Sequence, residues 1–254
     1  MNYIVFDLEF NQDLTAKTVV SPSPVPEKSH YPFEIIEIGA MKLDADNFQT
    51  LASFRRFVKP TIYTKIDPFI TELTGITTAQ LQTEELFPAV FQDFMEFIGG
   101  TDNILCIWGM SDIKELFRNA DEHQLNRNLI PRYYINLQPY VSVYFKQSVK
   151  RLLGLQYTVE ALGIPMSVPF HDALNDAYYT AEVLKMIYQP SMLPKIYEHC
   201  PTVKKVNPRT PKREINFDGL IHQLEKMYSR KMSEEEQGII KLAYQMGKTN
   251  QFLK

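Results

Sequence analysis

Ile4-Val5-Phe6-Asp7-Leu8-Glu9-Phe10 has the apolar, β-branched and aromatic make-up of a buried strand, interrupted by two carboxylates. Side chains two positions apart on a strand share a face, so Asp7 and Glu9 stand side by side. Two acids in that position repel, and partial burial deepens the repulsion. Such a strand forms only if something compensates the charge, and the search for that partner organises the rest of the chain.

Outward from this strand, residues 11–33 carry Pro22, Pro24, Pro26 and Pro32 with no apolar period, which predicts a long irregular loop. Residues 34–43 and 50–58 are rich in strand formers, and the DADN between them predicts an antiparallel hairpin. A short helix is expected over 67–74 and a longer one over 87–98, with Pro88 near its start. NILCIW at 103–108 reads as a fully buried strand. Helices are expected from Asp112 to about Gln124 and near 139–146, 156–162 and 172–188, with a short strand near Tyr133–Leu137. The order β, ββ, α, β, α, β, α predicts an α/β fold, a mixed sheet covered by helices.

The chain has 254 residues, 44% of them hydrophobic, enough for one large domain or a medium domain with an appendage. Its formal net charge of −3 lacks the strongly basic balance that usually marks a nucleic-acid binder. Only Cys106 and Cys200 occur, without metal-type spacing, which argues against a disulfide scaffold or a zinc–thiolate site. The first strand starts by about Tyr3, with no leader pattern before it, and no apolar run approaches the roughly 20 residues that span a bilayer. A cytoplasmic protein is expected.

Composition changes at about Pro190. Residues 191–216 read as a linker whose later part carries Lys204, Lys205, Arg209, Lys212 and Arg213 among three prolines. Beyond it Phe217, Leu220, Ile221, Leu224, Met227 and Tyr228 fall at helical spacing, and Ser233 to Glu236 forms a capping box opening a second helix to about Met246. The expected organisation is a domain at 1–190, the linker, and a helical hairpin at 217–254. The hairpin's apolar stripe packs on the first domain or meets a protein partner.

Two other places repeat the opening puzzle. In IWGMSDIKEL, Asp112 follows a buried strand at the start of a helix; in FHDALNDA, His171 precedes a helix that carries Asp176. Strand ends and helix starts converge on one edge of an α/β sheet. If they do so here, Asp7, Glu9, Asp112, Asp176 and one histidine share a site. Four carboxylates would be neutralised by two divalent cations, and oxygen-rich sites suit Mg²⁺ or Mn²⁺. Each acid also has a plainer reading. Asp112 with Glu115 fits a capping box, Asp172 and Asp176 fit first-turn acids favouring the helix dipole, and a histidine before a helix is often structural. Only the Asp7/Glu9 pair resists such an account.

Taken in order, FDLE, WGMSD and HDALNDA resemble the three motifs of the DEDDh family of 3′–5′ exonucleases, which includes the proofreading epsilon subunit of bacterial DNA polymerase III. ELTGIT at 72–77, EIIEIGAMKL and FRRFVKP add to the resemblance, which covers about residues 1–190; DLEFNQ looks closest to bacterial exonucleases of the sporulation-inhibitor type. The long proline-rich loop is a departure. The resemblance implies a ribonuclease H-like fold, a five-stranded mixed sheet flanked by helices, here with a C-terminal helical appendage. It further implies a two-metal mechanism. Asp7 would bridge two Mg²⁺ or Mn²⁺ ions, Glu9 and Asp176 would hold the ion carrying the attacking water, Asp112 would support the second, and His171 would be the general base. That histidine belongs to a mobile loop beginning after Pro169, from which it could swing. Phe10, Asn11, Leu73 and Thr74 would wedge and touch the 3′ end of a single strand, though Phe10 and Leu73 fit simple core positions as well.

The expected activity is hydrolysis of RNA or DNA from the 3′ end, releasing nucleoside 5′-monophosphates. The alternatives are a catalytically silent binding or adaptor module and a polymerase-associated proofreading subunit.

Overall fold

The computed structural model describes residues 1–12, 33–199, 217–234 and 236–240. Residues 1–201 and 202–254 form two compact units. In the first, strand β1 (Asn2–Asn11) pairs antiparallel with β2 (Glu34–Asp44), which pairs antiparallel with β3 (Thr50–Phe57). On its other side β1 runs parallel to β4 (Ile104–Ile107), and β4 parallel to β5 (Tyr133–Asn136). The expected five strands are present, and a sixth, β6 (Lys195–Ile196), adds antiparallel to β5. The sheet order is β3-β2-β1-β4-β5-β6.

Alternation along β1 builds the two layers. Ile4, Phe6 and Leu8 face a core closed by helices α3 (Phe87–Ile98) and α4 (Ser111–Glu122), together with Phe91, Phe94, Ile113 and Leu116. Tyr3 and Val5 face the opposite layer, with Leu43, Cys106, Ala181 and Leu184. The last two belong to α7 (Ala173–Ile187), which lies across β1 and β2. Asp7 and Glu9 continue this second face, at the end where its apolar side chains run out. β4 is buried on both faces, as a central parallel strand must be.

Helices α1 (Pro68–Thr74), α2 (Thr78–Leu81), α5 (Leu137–Tyr144) and α6 (Leu155–Ala161) fill the connections. Helix α3 matches its expected span residue for residue, because its stop signal is local: Gly99 takes a left-handed φ of 77° and donates its N–H to the Met95 carbonyl. Helix α2 has no apolar period over its four residues and was not readable. The proline-rich loop falls almost wholly outside the described residues, and β1 itself continues to Asn11.

The region expected as linker starts differently. Besides β6, Tyr197 donates its N–H to the Arg132 carbonyl at 2.7 Å, and His199 Nε2 meets Asp121 Oδ2 at 2.7 Å. Residues 195–199 therefore belong to the sheet-bearing unit; the basic run beyond them lies outside the described residues. In the second unit, α8 (Phe217–Tyr228) carries the expected stripe. The expected capping box is formed: Ser233 N–H donates to Glu236 Oε2 at 2.9 Å, and Glu236 N–H to Ser233 Oγ at 3.2 Å. The helix it opens is described as far as residue 240. Among the described residues, no helix is long and apolar enough to cross a membrane.

Candidate active site

Three elements bring the expected acids together. Strand β1 supplies Asp7 and Glu9, opposite Gly39 and Glu37 of β2, with a register shift immediately after Glu9. Helix α4 supplies Asp112. The helix is preceded by Met110, which makes no side-chain cap, so the capping-box reading of Asp112 with Glu115 fails. Instead the Asp112 carboxylate takes backbone N–H groups of Asp112 itself and of Leu8, between the two β1 acids. Glu115 turns away to Arg118, at 2.6 Å. Helix α7 supplies Asp176 in its first turn, with Asp172 as N-cap accepting the Asn175 N–H at 3.0 Å.

Helix α7 reaches this depth because β2 carries glycine at the crossing. A Cβ at Gly39 would lie 2.1 Å from the Ala173 carbonyl carbon and the Leu174 nitrogen. The helix N-terminus thus rests on the strand backbone, directly beside Asp7 in the sheet register.

Burial and mutual repulsion push every one of these carboxyls upward. For Asp7 the causes are burial first, then Asp112, Glu9 and Asp176, and the shift is large. Burial followed by Asp176 and Glu37 raises Glu9 to about 8. Burial, followed by Asp176, raises Asp112 to about 7 against the opposing pull of its backbone hydrogen bonds. Asp176 reaches about 6, again mainly through burial. Among the described residues none of the four pairs with a lysine or arginine.

The imidazole of His171 joins this group: Glu9, His171 and Asp176 each offer a ligand atom, all within 4.8 Å of one another. His171 lies on the segment before α7, as expected, but its backbone is pinned rather than mobile. Tyr179 Oη donates to the Val168 carbonyl at 2.6 Å and accepts the Val168 N–H at 3.0 Å. Phe170 stacks on Tyr179 with centroids 4.5 Å apart, and Asn175 Nδ2 donates to the Pro169 carbonyl. His171 itself holds a left-handed φ of 63°, costly for a residue with a side chain, and donates its N–H to Asp176 Oδ2 at 3.2 Å. Any swing is confined to its exposed side chain.

The expected substrate contacts fare unevenly. Leu73 is exposed on α1, and Phe69 one turn earlier is more so. Phe10 is half-buried against Phe33. The Thr74 hydroxyl donates to the Ile70 carbonyl and accepts the Ile76 N–H, serving the helix end. Asn11 is a correction: it is fully buried, donates to the Tyr63 and Lys65 carbonyls and accepts from the Asp67 N–H. Both amide hydrogens and one lone pair of Oδ1 go into shaping the approach to α1, inside the fold.

Sequence reasoning also passed over a supporting cluster. Glu37, 1% exposed, accepts Arg55 Nε at 2.7 Å and the Ala173 N–H at 3.2 Å, while Arg55 Nη2 pairs with Asp172. Arg55 thereby ties β3, β2 and the N-terminus of α7 into one frame around the acids. The signal was present: Glu37 is an acid inside an apolar strand, as Asp7 is. Arg55→Ala would leave Glu37 buried without its cation and should cost about 1–3 kcal/mol. Removing such an outer partner should also lower activity roughly 10–100-fold. Thermal melts and steady-state kinetics measure both, with Arg55→Lys recovering only part because one ammonium cannot reproduce the fork.

The RNase_T family of exonucleases matches residues 4–184, which span all three acidic segments. The 3′-5′ exoribonuclease 1 of Rattus norvegicus is 25% identical over 168 residues, 61% of this chain and 47% of that protein. A PolC-type DNA polymerase III of Clostridium perfringens is 30% identical over 158 residues, only 10% of that protein's length. The chain thus spans about half the length of the exoribonuclease relatives, and far less of the polymerase. Among solved structures, the nuclease domain of 3′hExo, a DEDDh family member bound to rAMP, superposes with a TM-score of 0.63 at 21% identity, covering 78% of this chain and 97% of that one. Exonuclease I of E. coli in complex with a dA16 oligonucleotide gives 0.55 at 12% identity, covering 75% and 42%. At these identities the structural likeness is one of fold, a mixed sheet flanked by helices. With the family match covering most of the chain and all three acid-bearing segments, the chain belongs to the RNase_T family of exonucleases.

Proposed function

We propose that this chain is a metal-dependent 3′–5′ exonuclease that shortens single-stranded RNA or DNA from the 3′ end and releases nucleoside 5′-monophosphates. The observation that carries the reading is the convergence of Asp7, Glu9, Asp112 and Asp176 without a cationic side chain among the described residues to balance them. A chain that bound strands without cutting them would have no electrostatic use for such a cluster.

The donor set fits divalent cations. Asp176 Oδ1 is buried and has no hydrogen-bond partner among the described residues, an expensive arrangement unless that oxygen serves as a ligand. All four acids offer the hard oxygen ligands that Mg²⁺ and Mn²⁺ take. Asp7, Glu9, Asp112 and Asp176 would hold two such ions, which when bound offset the charge that builds on the scissile phosphate.

The remaining chemistry falls to the chain's own side chains. His171 would take the proton from the attacking water, since its imidazole brings a nitrogen base within reach of Glu9 and Asp176. Asp176 assists by fixing the His171 backbone through its other oxygen. Leu73 and Phe69 give α1 an exposed apolar face on which the terminal base can lean.

The test is a time course on 5′-labelled single-stranded RNA and DNA of equal sequence, with Mn²⁺, with Mg²⁺ and with chelator. A ladder shortening from the 3′ end in metal alone is the expected result, and the faster strand identifies the preferred sugar. Full-length strands under every metal would overturn the proposal.

A further inference from the structure

Beyond the acids, the same sheet edge carries a cavity of about 390 Å³ whose walls include Met110, Tyr134, Tyr140, Val143, Leu193 and Lys195. One of its wall residues, Met110, stands close in the chain to the acidic site. Asn136, at the end of β5, accepts the N–H groups of Gly109 and Gln138 through one oxygen, both at 3.1 Å. That bond fixes the turn between β4 and α4, so Met110 stands on the cavity wall two residues before Asp112. From β1 to β5 is two strand spacings, about 10 Å. The cavity therefore begins within a nucleotide or two of the acids.

Its chemistry is that of a base-stacking surface beside a phosphate path. Val143 and Leu193 are 57% and 69% exposed, an apolar rim that water alone does not favour. Two tyrosines supply flat aromatic faces. Lys195 is exposed on the wall itself, and Lys146, Lys150 and Arg151 are exposed along the chain on either side of Val149, which also lines it. None of these four cations has a carboxylate partner among the described residues. An overall charge of −3 makes a local group of unpaired cations around an apolar hollow the more telling.

We propose that this cavity is a second nucleotide subsite, taking the base of the second or third residue from the 3′ end of a single strand while the rim cations hold the adjoining phosphates. The inference rests on the exonuclease reading for the direction of the strand. Stacking an internal base here would give the chain a grip on strands longer than a dinucleotide, independent of what the acids do to the last phosphodiester.

Two experiments test it. In Val143→Asp and Lys195→Glu, both at exposed positions, the ratio of kcat/KM on a decamer to kcat/KM on a dinucleotide should fall about ten-fold, because each places a negative charge where the longer strand's base and phosphates would lie. A loss of folding would lower both values together, so an unchanged ratio would overturn the subsite. Separately, single strands bearing 4-thiouridine at successive positions are photo-crosslinked to the inert Asp7→Asn protein. An adduct on Tyr134 or Tyr140 from the second or third base supports the proposal; adducts elsewhere only, or none, refute it and leave this face to a protein partner. Should no strand be cleaved at all, the exonuclease reading fails while the cross-link still judges the subsite.

Discussion

Asp7→Asn is expected to abolish cleavage and at the same time to raise the melting temperature of the metal-free protein. The loss should exceed the roughly 10–100-fold that follows removal of a mere outer partner of a metal ligand. The gain follows from repulsion: Asp7 faces Asp112, Glu9 and Asp176 with no compensating cation among the described residues, so a neutral amide relieves strain that function imposes. The pH dependence has a definite sign. These carboxyls titrate higher in the folded chain than in the unfolded one, with Asp176 at about 6, Asp112 at about 7 and Glu9 at about 8. The folded state therefore binds protons more tightly, and the stability this confers is complete below the ordinary carboxylate range and lost as pH rises through 6 to 8. Metal-free protein should melt lower at pH 8.5 than at pH 5.5. Mn²⁺ or Mg²⁺ should restore the loss, most strongly at the higher pH, where the ligands shed their protons more readily. Asp7→Asn should flatten both trends. Thermal melts with chelator and with metal across that range decide it, and a variant that melts lower than the parent at pH 8.5 without metal would contradict the account.

The second large effect is expected at Gly39→Ala. The added methyl would sit 2.1 Å from backbone atoms of Ala173 and Leu174, which cannot rotate away as a side chain could. Overpacking a core commonly costs about 1–3 kcal/mol, and a backbone collision should reach or pass the upper end. For a chain of this size that is a fall of roughly 6–12 °C in melting temperature. Because the displaced element is the start of α7, which carries Asp176 and follows His171, activity should fall by more than the stability loss explains. Kinetics well below the melting range separate the two. Full activity there would mean that the helix start does not need its seat on β2.

How far the sequence could be read depended on whether the deciding signal was local. Helix α3 announces itself by Pro88 and Gly99, and Asp7 with Glu9 breaks the strand pattern within three residues, so the fold and the acidic constellation were legible. Glu37 gave the same signal more weakly. Its reason became visible only with Arg55 from another strand and Ala173 from a helix 136 residues away. Gly39 lies within a stretch read only as rich in strand formers, and its need for glycine comes from Ala173 and Leu174, far along the chain. Asn11, beside Phe10 and in a motif, was expected at the substrate, but its partners at Tyr63, Lys65 and Asp67 lie in a segment with no pattern of its own. β6 is two residues long, too short for any alternation to register.

That small strand has a practical outcome. Composition invites a cut at residue 190, yet a fragment ending there would strip Lys195 and Ile196 from β5. The exposed row of backbone donors and acceptors, flanked by Tyr133 and Tyr134, would then be free to zip onto the same row of a neighbouring molecule. Such a fragment would be lost to self-association with its acids intact, and an inert preparation would say nothing about the chemistry. Extending it to residue 201 keeps the edge covered.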